Sequence, residues 1–413
     1  MFISEKNVSF ASCDYKVTCI NTFTYNIMVI SYIKLHNWKN FQNCSVALAE
    51  RCFIVGANAT GKSNFLDALR FLRDIVKKGG GLQTAVESRG GITKIRCLAA
   101  RVRTDIEIEV TLREKSDAPD KWKYTLNFKH TGGGIRKNEV TVNRESVWLL
   151  TENRCLLDRT ENSENETDDT LKYTHLEQAV TSQQFLELRN ALADIEYLNI
   201  VPQMVRESSL APETKEDYYG RNFLSELSKL NEATRNSYLR KVNEVLKCAV
   251  PQLDNLSFVK DENGFYHLEA KYLHWRAQGS KQTEAQFSDG TLRLIGLLFS
   301  ILAGKGIALL EEPEINLHPG VVAQLPEFIA RMQRHRPRQI IVTTHSYDIL
   351  SNEGIDETEV VLLLNSDEGT LAKTVDKIDE VKEVLDAGLS MADAVLPVTR
   401  PDNLQNIGNV SLD

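Results

Sequence analysis

Gly56-Ala57-Asn58-Ala59-Thr60-Gly61-Lys62-Ser63 is the stretch that decides the fold, and its flanks make it readable. An apolar run from Val46 to Val55 leads into it. After it, Phe65, Leu66, Leu69, Leu72 and Ile75 recur at the spacing of an amphipathic helix over residues 63–76. Strand, glycine loop and helix form the context in which GxxxxGK followed by Ser or Thr holds phosphate. Glycines let backbone N–H groups turn toward the anion, and the helix offers its positive end. The pattern assigns Lys62 to the β and γ phosphates of ATP and Ser63 to Mg2+, an ion that keeps most of its waters and takes few protein ligands.

Working outward, the run Ile307-Ala308-Leu309-Leu310-Glu311-Glu312-Pro313-Glu314 reads as a buried strand that ends in a cluster of carboxylates. Such a cluster at a sheet's carboxyl edge repels itself unless a cation or a reaction uses it. Glu311 is expected in the magnesium shell and Glu312 to orient or deprotonate an attacking water, while Glu314 ranks lower as a structural group. Ile340-Ile341-Val342-Thr343-Thr344-His345-Ser346 is a second buried strand, and it delivers His345 where the neighbouring strand delivers its acids. A histidine there can contact the γ phosphate. Ser288-Asp289-Gly290-Thr291 precedes an apolar helix over 292–303. Alone it is a helix cap; placed between the phosphate loop and the acidic strand it suggests a second role.

The rest of the chain organises around these landmarks. Residues 1–27 have no clear period and read either as an extra strand or as an upstream extension, with the domain starting near Met28. Residues 101–149 alternate as antiparallel strands broken by Gly132-Gly133-Gly134. TENSENETDDT, Thr160 to Thr170, is acidic and polar, a mobile-loop composition. A helical region over 173–250 with turn signals at Pro202 and Pro212 follows, then short strands near 255–272. After Gly290, helices alternate with buried strands, the mark of a parallel α/β sheet. The last forty or so residues read as peripheral.

Composition sets limits. The chain has 413 residues and a formal charge of −8, so it is no basic nucleic-acid coat, although one basic face would be hidden in that sum. Its seven cysteines are scattered, without a CxxC pair, which suits a reducing cytosol and argues against structural zinc or a disulfide framework. No apolar run approaches the roughly 20 residues of a membrane span. A cytoplasmic protein with no membrane partner is expected.

The four landmarks, in this order, resemble the ABC-type ATPase heads of the SMC, RecF and OLD (overcoming lysogenization defect) class, often catalogued as AAA-family ATPases. The resemblance spans residues 28 to about 365 and rests on the phosphate loop with Asn58, the SNFLDALRFL helix, EEPEINLHP and TTHS. It implies an α/β P-loop NTPase fold, an ABC-ATPase-like head with an antiparallel β section and a helical insert. The implied division is an extension (1–27), a first half-head with the phosphate loop and β section (28–150), and an acidic loop, helical insert and short strands (151–275). A second half-head (276–372) and a peripheral tail (373–413) complete it.

The resemblance also implies an ATPase whose catalytic residues are Glu312, His345 and Lys62. Gly56, Ala57, Asn58, Ala59, Thr60, Gly61, Lys62, Ser63 and Asn64 would hold ATP, with Ser63 and Glu311 on magnesium. FSDGTLR, Phe287 to Arg293, stands where transporters carry LSGGQ. Ser288 and Gly290 would then touch the γ phosphate held by a second subunit, and Asn316 and His318 would line the seam. A homodimer closed through ATP is implied, with DNA and a separately encoded nuclease or effector as candidate partners. The alternative is an ATP-gated protein scaffold without nucleic acid.

Three departures stand out. Glu311 replaces the more usual aspartate, there is no zinc-hook pair or long coiled coil, and the stretch after His345 is too short for a Toprim nuclease domain. Arg89-Gly90-Gly91 is a candidate place for the adenine-sensing glutamine loop. Lysine and arginine within 68–103 and 331–338 could form a DNA-facing surface or simply solvated helix surface.

Overall fold

Residues 51–56, 308–311, 340–344 and 360–366 are nearly continuous runs of apolar and β-branched side chains, which suits strands covered on both faces. The computed structural model, which describes residues 27–99, 104–115, 117–131, 139–164, 166–207, 219–273, 279–401, 406 and 409, places them at the centre of one sheet. The Gly132-Gly133-Gly134 break, Pro212 and residues 1–26 lie outside the described residues.

Along the chain run β1 (Val29–Trp38), β2 (Phe41–Ala47), β3 (Arg51–Gly56), the helix Lys62–Val76, β4 (Ile106–Arg113), β5 (Asp120–His130), β6 (Val140–Leu149) and β7 (Arg154–Thr160). A mostly helical stretch follows, containing the three-residue β8 (Glu196–Leu198) and the helix Glu232–Ala249. Then come β9 (Leu253–Lys260), β10 (Tyr266–Tyr272), β11 (Ser280–Thr283), the helix Asp289–Ala303, β12 (Ala308–Glu311), β13 (Ile340–Thr344), β14 (Val360–Ser366) and β15 (Gly369–Thr374).

The central sheet has the order β15-β14-β3-β13-β12-β8, parallel except for β15. Alternation along its strands divides the core. Cys52, Ile54, Leu309, Ile341, Val361 and Leu363 face the Lys62–Val76 helix and the antiparallel sheet. Phe53, Val55, Leu310, Ile340, Val342 and Leu362 face the other way. The antiparallel sheet, β2-β1-β4-β5-β6-β7, packs over the first face. Gln339, fully buried, joins the sheets: its amide exchanges hydrogen bonds of 2.8 Å each with the backbone N–H and carbonyl of Ile30. A third sheet, β11-β10-β9, packs with the insert helices against the Asp289–Ala303 helix.

The α/β class, the antiparallel section and the helical insert match the expectation. Three differences have physical reasons. The stretch 173–250 is not purely helical, because β8 pairs with β12 and completes an edge of the central sheet. The acidic stretch begins in β7 and is tied down by Arg159, whose guanidinium pairs with Glu166 at 3.1 Å. Finally, residues 373–398 are not a peripheral tail. Val375, Val381, Met391, Ala392 and Val395 are buried in the second core, as helices Asp379–Asp386 and Met391–Val398 cover the sheet.

Candidate functional site

Three strands end side by side at the carboxyl edge of the central sheet. β3 carries the chain to Gly56, β13 to Thr344 and β12 to Glu311, in register through Val55 with Thr344 and Glu311 with Thr343. The loop after β3 turns through left-handed backbone at Ala59 (φ 65°) and Gly61 (φ 98°) before the helix begins at Lys62. Gly61 adopts a φ that side chains rarely take, and a Cβ there would also displace the amide of Asn40. That amide braces the loop. It donates to the Thr60 carbonyl and to the Thr370 hydroxyl, both at 2.7 Å, and its oxygen accepts from Asn64 Nδ2 at 2.7 Å.

Lys62 is buried and curls back over the loop, donating to the carbonyls of Gly56 at 3.0 Å and Ala57 at 3.3 Å. Its ammonium also lies 3.6 Å from Glu312 Oε1. The same carboxylate oxygen is 3.2 Å from Nδ1 of His345. The Ser63 hydroxyl donates to Glu311 Oε1. Phosphate loop, both carboxylates and the histidine, read from segments far apart in sequence, thus form one constellation.

Two features mark this edge as costly. Glu312 sits in left-handed backbone (φ 40°), a conformation that disfavours a side chain and is over-represented at functional sites. Glu314 accepts from the Thr344 hydroxyl at 2.6 Å, yet its other oxygen is buried with no partner. Burial pushes its carboxyl above the usual range, against the pull of the Thr344 hydrogen bond. Arg293, lowered by burial despite the nearby Glu314 and Glu312, donates to the Glu312 carbonyl at 3.0 Å and fixes the acidic turn.

Several expectations need correction or narrowing. The Asn64 amide donates to Asn40 at 2.7 Å, so its side chain braces the loop. In this chain the Ser288 hydroxyl is the cap of its own helix, accepting from the Thr291 N–H at 3.2 Å, which is the plainer of the two readings of that turn. Gly290 lies against the Asn316 carbonyl, where a Cβ would collide, so the turn and the segment after the carboxylates are packed together. His318 Nδ1 accepts from the Gly320 N–H at 3.1 Å and caps a short helix. In the stretch offered for the adenine-sensing loop, the Arg89 guanidinium is buried against Asp67 and Asp74, each at 2.9 Å.

Sequence reasoning missed Tyr197, whose hydroxyl donates to Glu311 Oε2. It also missed Asn40 and Arg206, the latter pairing with Asp289 at 2.6 Å. The apolar run 197–201 ahead of Pro202 was the available signal for a strand that carries Tyr197; nothing local marks the other two.

The family described as "AAA domain, putative AbiEii toxin, Type IV TA system" matches residues 52–351. No curated protein matches the chain. Among solved structures, an SMC head bound to the C-terminal winged-helix domain of ScpA superposes with a TM-score of 0.51 at 15% identity, covering 86% of this chain and 99% of that one. SMC heads from Pyrococcus furiosus, with a TM-score of 0.47, 14% identity and coverage of 87% and 100%, and from Thermotoga maritima, with 0.43, 12%, 84% and 98%, are more distant. At such identity the likeness speaks for the fold. The family match spans the phosphate loop, the acidic strand and the histidine strand, and the chain belongs to this AAA-domain family, with the fold of an SMC-like P-loop ATPase head.

Proposed function

We propose that the chain binds and hydrolyses ATP with Mg2+, and that two copies close around the nucleotide as a clamp that hydrolysis reopens. The observation that carries this reading is the convergence of Lys62 and His345 on one oxygen of Glu312, beside the Ser63–Glu311 pair. The residues fit the ligand. A lysine over a loop of turned backbone suits phosphate, and one hydroxyl with one carboxylate is the sparse set of hard oxygen donors magnesium takes. Among the described residues no group of three or more His, Cys, Asp or Glu could hold a metal by itself.

Lys62 neutralises phosphate charge, Glu312 orients the attacking water and accepts its proton, and His345 senses the terminal phosphate. Magnesium, when bound, supplies charge neutralisation at the phosphates. Because Lys62 and Glu312 already attract one another, entry of a triphosphate separates them and frees the carboxylate for water. A second copy would present Ser288 and Gly290 across the seam. ATP then belongs to the interface, and its loss removes the contacts that favour the closed pair.

The clamp's target is read as DNA or a DNA-processing partner, in genome maintenance or in defence against phage, with a separately encoded effector. The family description, which names a toxin–antitoxin system, is in keeping with defence. A second reading, an ATP-gated protein scaffold, is favoured by one observation. The outward charges of the antiparallel sheet are matched in pairs, Lys34 with Glu107 at 2.9 Å, Lys123 with Glu109 at 3.0 Å and Arg144 with Asp158 at 3.2 Å. Arg73, Lys77 and Arg89 are likewise spent on Asp67 and Asp74, and Arg338 on Glu196.

The test is light scattering of Glu312→Gln with and without Mg-ATP, then with duplex DNA at several salt concentrations. An ATP-dependent doubling of mass supports the clamp, and an ATP-indifferent mass contradicts it. A DNA-bound species that weakens steeply with salt supports the first target, and its absence favours the scaffold.

A further inference from the structure

Glu311 is one methylene longer than an aspartate, so its carboxylate has an extra rotatable bond to be fixed before it can serve a metal site. The structure shows how it is fixed. One oxygen accepts from the Ser63 hydroxyl and the other from the Tyr197 hydroxyl. Tyr197 lies on β8, which pairs in parallel with β12 so that Tyr197 stands opposite Leu309. The residue is 7% exposed, and the guanidinium carbon of Arg70 sits 4.1 Å from the ring centroid. Arg70 belongs to the same helix as Lys62 and Ser63. The chain Ser63, Glu311, Tyr197, Arg70 therefore starts and ends on the phosphate-loop helix and passes through the sheet edge between.

We infer that Tyr197 is the positioning residue of the magnesium site, holding Glu311 for the ion by occupying the oxygen that faces away from Ser63. This rests on the reading of the site as one for Mg-ATP. A hydroxyl donor holds the carboxylate in one rotamer, the role that hydrogen-bonded neighbours of metal ligands commonly play. Stacking against Arg70 keeps the ring in place when the loop is loaded.

The experiment is a magnesium titration of binding to a fluorescent ATP analogue, made on the wild type, Tyr197→Phe, Glu311→Asp and the double variant. Tyr197→Phe retains the ring and its stacking and removes only the hydroxyl. It should raise the magnesium concentration for half-maximal binding roughly tenfold, while binding without metal and the thermal midpoint stay as in the wild type. In the Glu311→Asp background, where the shorter acid draws back from Tyr197, the same substitution should change the titration less than about twofold. An unchanged magnesium titration in Tyr197→Phe, an equal loss of metal-free binding, or simple additivity in the double variant would overturn the inference. If the wild type itself binds no nucleotide, the ATP reading of the site fails, and this inference with it.

Discussion

The buried carboxylates of the two six-stranded sheets live under opposite conditions. In the antiparallel sheet Glu145 is fully buried and fully answered. Its oxygens accept from the Tyr124 hydroxyl at 3.1 Å, from Arg159 Nε at 3.0 Å and from the backbone N–H groups of His175 and Leu176 at 2.8 and 3.1 Å. At the carboxyl edge of the parallel sheet Glu314 keeps a buried oxygen without a partner, Glu312 holds a backbone conformation unfavourable to it, and Lys62 leans toward a carboxylate 3.6 Å away. A satisfied network stabilises a single structure; an unsatisfied one is retained where something else is meant to complete it. On the proposed function, the contrast separates a group that holds the fold from groups that a bound nucleotide would complete.

If that contrast is sound, substitutions in the two regions should fail in different ways. The largest effect on stability is expected from Glu145→Ala, which takes the buried Glu145 partner from Arg159 and leaves the Tyr124 hydroxyl and the N–H groups of His175 and Leu176 unanswered, and should cost about 3–5 kcal/mol in urea denaturation. A cost under about 1 kcal/mol would erase the comparison. Glu312→Gly should do the reverse. It relieves the left-handed backbone and should stabilise the fold by about 1 kcal/mol while abolishing ATP turnover. A destabilised variant would show that the φ of Glu312 is not a cost carried for function.

The smallest effect is a pH dependence. Burial raises the Glu314 carboxyl, so in the folded chain it keeps its proton to higher pH than it does unfolded. The stability this contributes is fully present below the ordinary carboxylate range and is lost as pH rises through the raised value. Glu314→Gln, which cannot ionise, should therefore gain on the wild type in thermal midpoint between pH 4 and pH 8. A difference that does not change with pH would remove Glu314 from the account.

Much of the site was legible because its chemistry sits at the ends of strongly apolar runs. The apolar runs Val46 to Val55, Ile307 to Leu310 and Ile340 to Val342 read as buried strands, and a parallel sheet must bring their carboxyl ends to one edge, although the first run divides in the structure between the end of β2 and β3. That placed Lys62, Glu311, Glu312 and His345 together without coordinates. What was not legible depends on contacts between distant segments. Tyr197 stands on a strand of three residues within a helical stretch, defined only by pairing with β12. The role of Asn40 follows from the turn after β1 meeting β15, where Thr370 shares its hydrogen bonds. The C-terminal helices carry ordinary amphipathic patterns, and only the exposed second face of the sheet explains why Val381, Met391 and Val395 are buried.

The most direct test of the central claim is phosphate release by the wild type and by Glu312→Gln, with nucleotide binding measured on the same preparations. The account predicts that the variant binds Mg-ATP as the wild type does and releases phosphate at least about a hundredfold more slowly, the loss expected when a water-orienting base is removed. Hydrolysis by Glu312→Gln at the wild-type rate would contradict it.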